Sequence, residues 1–445
     1  MDYARGLVDY INSSPTPYHA VDTTKSMLIS DGFKELSEKE TWDLENNKKY
    51  FVTRNGSSLI AFKTCDFNAG IGIAAAHTDS PCLRIKPISN RESEGYIQIG
   101  VELYGGLIAH SWFDRDLSIA GRVYVKEGDK FVSKLLKIDK PLLKIPSLAI
   151  HLDRTVNQKF EFDKETRMIP IVGQTHLCKD SEDSKLSEEE FQSVEHVIKR
   201  HNRSLIELIA KELNVDPLLI EDFELLLFDH QKATIGGLND EFVFGARQDN
   251  LVSCYAATKA LIESENKGFP LISLFDHEEI GSLSAQGADS SFLPDVLRRI
   301  TRDKYFEVMA KSFIASVDAA HSVHPNYKEF HENNHKPVMN KGPVIKVNAN
   351  QKYLTNSPGI VLFKNIAKQA NIPLQLIVGK NNAPIGSTLG KFIAGQLGIV
   401  TLDAGVSCLS MHSIRECTGA LDVGLFTILL KSFFENFDEM NNRIA

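Results

Sequence analysis

The chain has 445 residues, 42% hydrophobic and 24% charged, with a net charge of −8, which allows two or three domains and a large core. No basic block or basic–aromatic stripe is present, which argues against a nucleic-acid partner. No apolar run reaches roughly 18 residues, so no membrane span is expected.

The N-terminal MDYARGLVDYINSS carries acids and no apolar core, so it does not read as a secretory signal. Its Leu7, Val8 and Ile11 form the stripe of a first helix, which Ser13-Ser14-Pro15-Thr16-Pro17 ends. A second helical pattern follows from about Tyr18 to Ile29. Tyr50–Thr53 and Ser58–Lys63 flank an Asn55-Gly56 turn and read as a hairpin. Ile71–Ala76 is an apolar run of buried-strand type that ends in His77, Thr78 and Asp79.

From about Pro87 to Gly236 the texture is more polar and rich in strand patterns. Ile97, Ile99, Val101 and Leu103 alternate as in a half-buried strand. Leu117–Val125, Phe131–Ile138 and Phe223–Phe228 read as further strands. Asp180–Glu190 is an acid-rich link into an amphipathic helix from about Glu188 to Leu213. We expect 87–236 to be an inserted β-rich domain suited to a subunit contact, with 1–86 and 237–445 forming the other domain.

Strand and helix then alternate. Asn250–Glu265 reads as a helix, Leu271–Phe275 as a strand, Pro294–Lys311 as a helix and Phe313–Val317 as a strand. Ser357–Asn371 is helical, Leu374–Val378 a strand, Thr388–Leu397 helical, Ile399–Leu402 a strand and Gly419–Phe434 helical. Such alternation predicts an α/β fold, a mostly parallel sheet flanked by helices.

Ligands and catalytic groups of open α/β sheets collect where strands end. Here Ile71–Ala76 is followed by His77 and Asp79, and Leu271–Phe275 by Asp276, His277, Glu278 and Glu279. Phe313–Val317 is followed by Asp318 and His321. Asp249 precedes the helix at Asn250, and His412 lies in the loop after the last strand. Singly, Asp249 would pass as a helix cap, Asp318 as a turn residue and His412 as a hydrogen-bonded loop histidine. Jointly, two imidazoles and four carboxylates without matching cations would repel unless metal ions sat among them. The set suits two divalent metals, with one carboxylate bridging and each metal keeping one His and one further carboxylate. The second carboxylate in His77-x-Asp79 can receive the ring N–H of a metal-bound His. The six scattered cysteines (Cys65, Cys82, Cys178, Cys254, Cys408, Cys417) include no C-x-x-C pair, which implies a reducing cytoplasm and makes thiolate ligands improbable. His and carboxylate donors point to zinc, with cobalt or manganese as substitutes. Paired metals polarise a carbonyl and activate water, and the leftover glutamate acts as general base, so amide hydrolysis is the natural chemistry.

AAAHTDSPCLRIKP, ARQDN, DHEEIGS, SVDAAH, GPVIKVNANQKY and SMHSIRE, in that order, resemble the aspartyl aminopeptidase family of dinuclear zinc metallopeptidases. SSPTPYH and WFDRDLSIAGRV extend the likeness over nearly the whole chain. The resemblance implies a zinc exopeptidase-like domain with an inserted dimerisation domain, and dimers assembled into a tetrahedral dodecamer with an enclosed chamber. It implies two Zn2+ per subunit, one held by His77, Asp249 and Asp318, the other by Asp249, Glu279 and His412. It makes Glu278 the general base and Asp79 the partner of His77. Its substrate-contacting positions fall on His151, His321, Lys346 and Tyr353, with His151 reaching a neighbouring subunit's site. The implied reaction is release of N-terminal Asp or Glu from peptides, and the alternative is the same metal site with a preference for neutral residues. Lys346 and His321 would meet the acidic side chain. Departures from the family pattern are His277, where many relatives carry Asn, and Pro384-Ile385 in the substrate-side loop NNAPIGSTLG.

Overall fold

The structure, a computed structural model, describes residues 1–177, 196–265 and 267–444. It separates into two compact units, Met1–Ser80 with Ala233–Ala445, and Pro81–Lys232. The change of sequence texture lies a few residues later, at 87 and 236.

The first unit is built on a nine-stranded sheet. Its spatial order is Lys34–Leu36, Lys49–Arg54, Ser58–Lys63, Phe269–Phe275, Ile71–His77, Phe313–Val317, Val400–Gly405, Val344–Val347 and Gln375–Val378. The four strands from Phe269–Phe275 to Val400–Gly405 run parallel, in register at Phe275↔His77 and Val317↔Ala404. Alternation decides which layer each residue joins. Ile71, Ile73 and Ala75 pack with the helices Phe292–Thr301 and Tyr305–Lys311 on one face. Ala74 and Ala76 face the other layer, with helices Asp2–Ser13, Gln248–Glu263, Ser357–Gln369 and Ala420–Asn441. Phe363, Phe426 and Phe433 are fully buried in that second layer, and burying each contributes about 1.5–3 kcal/mol. In the Asn55-Gly56 turn both residues have positive φ, 52° and 69°. Arg54 pairs with Ser58, so Asn55, Gly56 and Ser57 form a three-residue loop, and the two positive φ values reverse the chain within it.

Two helices differ from expectation. The pattern over 294–311 is broken at Arg302, whose φ of 51° ends the first helix before Tyr305–Lys311 begins. The last helix runs on to Asn441 because Phe437 and Met440 continue its buried face. A second sheet in this unit was not foreseen. It has five short strands in the order Thr234–Gly236, Phe242–Gly245, Glu416–Gly419, Ser407–Leu409 and Ala320–His321.

The unit Pro81–Lys232 holds a six-stranded antiparallel sheet. Its order is Lys130–Lys137, Leu117–Glu127, Ile220–Asp229, Cys82–Ser93, Tyr96–Tyr104 and Ile171–Gln174. Ile97, Ile99 and Val101 are buried as the alternation required, while Leu103, near the strand end, is exposed. The helix expected over 188–213 is described as Val197–Arg200 and Arg203–Leu213. Its start and the link 180–190 lie largely or wholly outside the described residues. No described helix is long and apolar enough to cross a membrane.

Candidate metal centre

The parallel strands deliver their C-terminal ends side by side, and the chemistry-bearing residues follow them. His77 closes its strand, opposite Phe275. After Phe275 the chain reverses at His277 (φ 66°), makes a single turn over Glu278–Ile280, and reverses again at Gly281 (φ 101°). Asp79 holds this reversal from beneath. One of its carboxylate oxygens accepts the N–H of Glu278 at 3.1 Å and the other that of Glu279 at 3.0 Å. The Nδ1 of His77 sits 3.0 Å from the backbone carbonyl oxygen of Asp79 and 3.4 Å from its carboxylate. Asp79 thus steadies three neighbours, with its carboxylate committed mainly to the two glutamate N–H groups. This is broader than the His77 partnership the sequence implied.

The five-stranded sheet brings in the rest. Phe242–Gly245 leads into Arg247 and Asp249, Glu416–Gly419 and Ser407–Leu409 flank the His412 loop, and Ala320–His321 follows Asp318. Glu416, buried at 4% exposure, joins two of these segments: it accepts the N–H of Asp249 at 3.0 Å and of His412 at 2.9 Å. The Gln248 amide also donates to the carbonyls of Val243, Gly245 and Glu416. Gly405 is required where Asp318 passes, since a Cβ there would lie 1.8 Å from the Asp318 carbonyl oxygen.

The outcome is a tight convergence. The Oδ1 of Asp249 lies 3.4 Å from the Nε2 of His77, and its Oδ2 lies 3.4 Å from the Nε2 of His412. Asp318 Oδ1 is 3.4 Å from His77 Nε2, and Glu279 Oε2 is 3.3 Å from His412 Nε2. Ligand-competent atoms of His77, Asp249 and Asp318 fall within 4.8 Å of one another, as do those of Asp249, Glu279 and His412, and of His77, Glu278 and Glu279.

The electrostatics ask for cations here. Asp249 Oδ1 and Glu279 Oε1 are buried without a hydrogen-bond partner, an arrangement costly for an acceptor that has lost water. Burial, then neighbouring carboxylates, pushes the Glu278 carboxyl up to about 8, and burial with the Asp249 charge pushes Glu279 well up too. Burial works against charge on His77, but the surrounding carboxylates outweigh it and raise its pKa well above the ordinary value. Burial opposes charge on Asp249 as well, yet the two imidazoles hold its carboxyl far below the usual range. The donor set of neutral nitrogen and hard oxygen fits divalent metal.

His321, Lys346 and Tyr353 line the same cavity of about 480 Å³ as the cluster. The role read for Lys346 changes. It is 3% exposed, and its Nζ donates to Asp318 Oδ2 and to the Ala319 carbonyl, both at 2.9 Å, beneath the Tyr353 ring at 5.2 Å. Its charge balances Asp318 rather than standing open to a substrate. Burial within the cavity, then Lys346, lowers the His321 pKa. His151 sits on an exposed turn in the other unit. Sequence reasoning missed the role of Glu416, although SMHSIRE contains it, and the cavity wall of Ser387, Thr388 and Lys391.

Fold and site together define a metal-dependent hydrolase, with buried His and carboxylate groups at the carboxyl edge of a mostly parallel sheet. The chain belongs to the M18 peptidase family: the family model, described as aminopeptidase I zinc metalloprotease, matches residues 10–434. Aspartyl aminopeptidase 4 of Saccharomyces cerevisiae is 50% identical, over 100% of this chain and 96% of that protein. A cryo-EM structure of the Ape4 and Nbr1 complex superposes with a TM-score of 0.95 at 45% identity, covering 100% of this chain and 87% of that one. The S. cerevisiae mApe1 dodecamer gives a TM-score of 0.86 at 31% identity, over 100% and 99%. The chain is a metalloaminopeptidase.

Proposed function

We propose that this aminopeptidase carries two zinc ions and removes N-terminal Asp or Glu from peptides. The observation that carries the two-metal reading is Asp249, with one oxygen turned to each imidazole and Oδ1 left without a hydrogen-bond donor. His77, Asp249 and Asp318 would hold one ion, and Asp249, Glu279 and His412 the other. Cobalt or manganese could substitute. When bound, such a pair supplies Lewis acidity and water of lowered pKa.

The protein's own groups do the rest. Glu278 takes the proton of the attacking water and returns it to the leaving amine, a role that suits a carboxylate lining the cavity beside the cluster. Asp79 fixes Glu278 through the backbone N–H. Lys346 holds Asp318, and His321 and Tyr353 offer donors to the substrate. The dodecameric relative supports assembly into a homo-oligomer, in which the insert at 87–236 would pair two copies into dimers of a tetrahedral dodecamer and carry His151 to a neighbour's cavity. A cytoplasmic setting suits the scattered cysteines.

A preference for neutral residues is the second reading, favoured by the commitment of Lys346 to Asp318. A panel of Asp, Glu, Leu, Ala and Lys aminoacyl amides decides between them. The acidic reading expects the highest kcat/KM on Asp and Glu; Leu or Ala in first place would favour the second.

A further inference from the structure

We propose that Asp403 is a positioning residue for hydrolysis: its buried carboxylate ties together two walls of the cavity beside the metal cluster. Asp403 lies in the strand Val400–Gly405, opposite Ser316 on one side and Lys346 on the other, and is fully buried. Leu402 and Ala404 join the layer of the helices Ser357–Gln369 and Ala420–Asn441, so alternation turns Asp403 to the other face. There it meets the start of the helix Gly390–Leu397, where a Cβ on Gly390 would lie 3.3 Å from its Oδ1.

A buried carboxylate is costly unless donors meet its oxygens, and an apolar residue would serve a sheet interior with less penalty. Here the hydrogen bonds go to two segments of the cavity wall. Oδ1 accepts the hydroxyl of Thr388, which lines the cavity. Oδ2 accepts the N–H of Leu354, next to Tyr353, which also lines it. The Asp403 N–H is in turn donated to the Thr355 hydroxyl at 2.9 Å. The stretches 348–356 and 379–389 contain no helix or strand, so no regular ladder fixes them, and Asp403 is the group they share. With the substrate in this cavity, as the hydrolytic reading requires, the clamp serves acidic and neutral side chains alike.

The test compares zinc-loaded wild type with Asp403→Leu, Asp403→Asn, Thr388→Val and Thr388→Ser, on whichever aminoacyl amide the wild type cleaves best. Displacing a positioning group by about 1 Å can cost about 100-fold. Asp403→Leu and Thr388→Val should therefore each lower kcat/KM by about 10-fold to 100-fold, mostly through KM, with zinc per chain unchanged. Asp403→Asn should restore most of the loss, since its oxygen can accept the Leu354 N–H while its amide donates to the Thr388 hydroxyl. Thr388→Ser keeps the hydroxyl and should do the same. Adding Thr388→Val to Asp403→Leu should bring no further loss, because the bond is already gone. Hydrogen exchange over 379–389 should be faster in Thr388→Val than in wild type. A wild-type KM in Asp403→Leu, with only thermal stability reduced, overturns the clamp and leaves Asp403 a support of the sheet. Additive losses in the double variant, or unchanged exchange in Thr388→Val, overturn it as well, since Thr388 would then act by itself. Should Asp403→Leu fail to fold, Thr388→Val beside Thr388→Ser decides by the same KM and exchange readouts, and wild-type values in Thr388→Val overturn the clamp.

Discussion

Glu278→Gln is expected to lower kcat by about 100-fold to 10,000-fold, the range for loss of a general base, with zinc content and thermal stability close to wild type. The substitution keeps the size of the side chain and removes its capacity to take a proton. Glu278 lies at the mouth of the cluster, with Oε2 3.9 Å from His77 Nε2, farther than the 3.4 Å of Asp249 and Asp318. Its position is set by its backbone, through Asp79, so the amide should occupy the same place. KM should change little, since a proton carrier acts mainly in the transition state. Pre-steady-state and steady-state assays on a chromogenic amide, beside elemental analysis for zinc, measure both halves. Full activity in Glu278→Gln would remove Glu278 from the mechanism. Inactivity with loss of zinc would make it a ligand, as its grouping with His77 and Glu279 also allows.

The second large effect is expected at Asp249. Asp249→Ala should reduce zinc content at both positions and abolish hydrolysis, whereas Glu279→Ala should affect chiefly one. Asp249 is the residue shared by the two groups built around His77 with Asp318 and around His412 with Glu279. Outer partners of a metal ligand alone change affinity by about 10-fold to 100-fold, so loss of a shared ligand should weaken binding by at least about 100-fold. Zinc retained per chain after dialysis against a chelator reports this without reference to activity. Retention of both ions by Asp249→Ala would make Asp249 a neighbour of the site and not its bridge.

Much of this arrangement is legible in the amino-acid sequence because buried strands announce themselves. Ile71–His77, Phe269–Phe275 and Phe313–Val317 are short apolar runs that end abruptly in His or acid, and a mostly parallel sheet places such ends together. The small sheet that carries Asp249 and His412 is invisible by the same logic. Its strands have only two to four residues, too few for alternation to register. The partnership of Lys346 with Asp318 is hidden for another reason. Val344–Val347 enters the sheet antiparallel to Val400–Gly405, and no local pattern shows which way a four-residue strand runs. Glu416 stands four residues after His412, but its grip on the Asp249 N–H crosses 167 residues of chain. Such a contact is a property of the fold alone.

The central claim is a pair of metals bridged by Asp249. Anomalous diffraction at the zinc edge, on crystals of zinc-loaded protein, tests it most directly. Two peaks per chain are expected, one beside His77 and Asp318 and the other beside Glu279 and His412, with Asp249 between them. A single peak, or peaks that leave Asp249 out, would contradict the account.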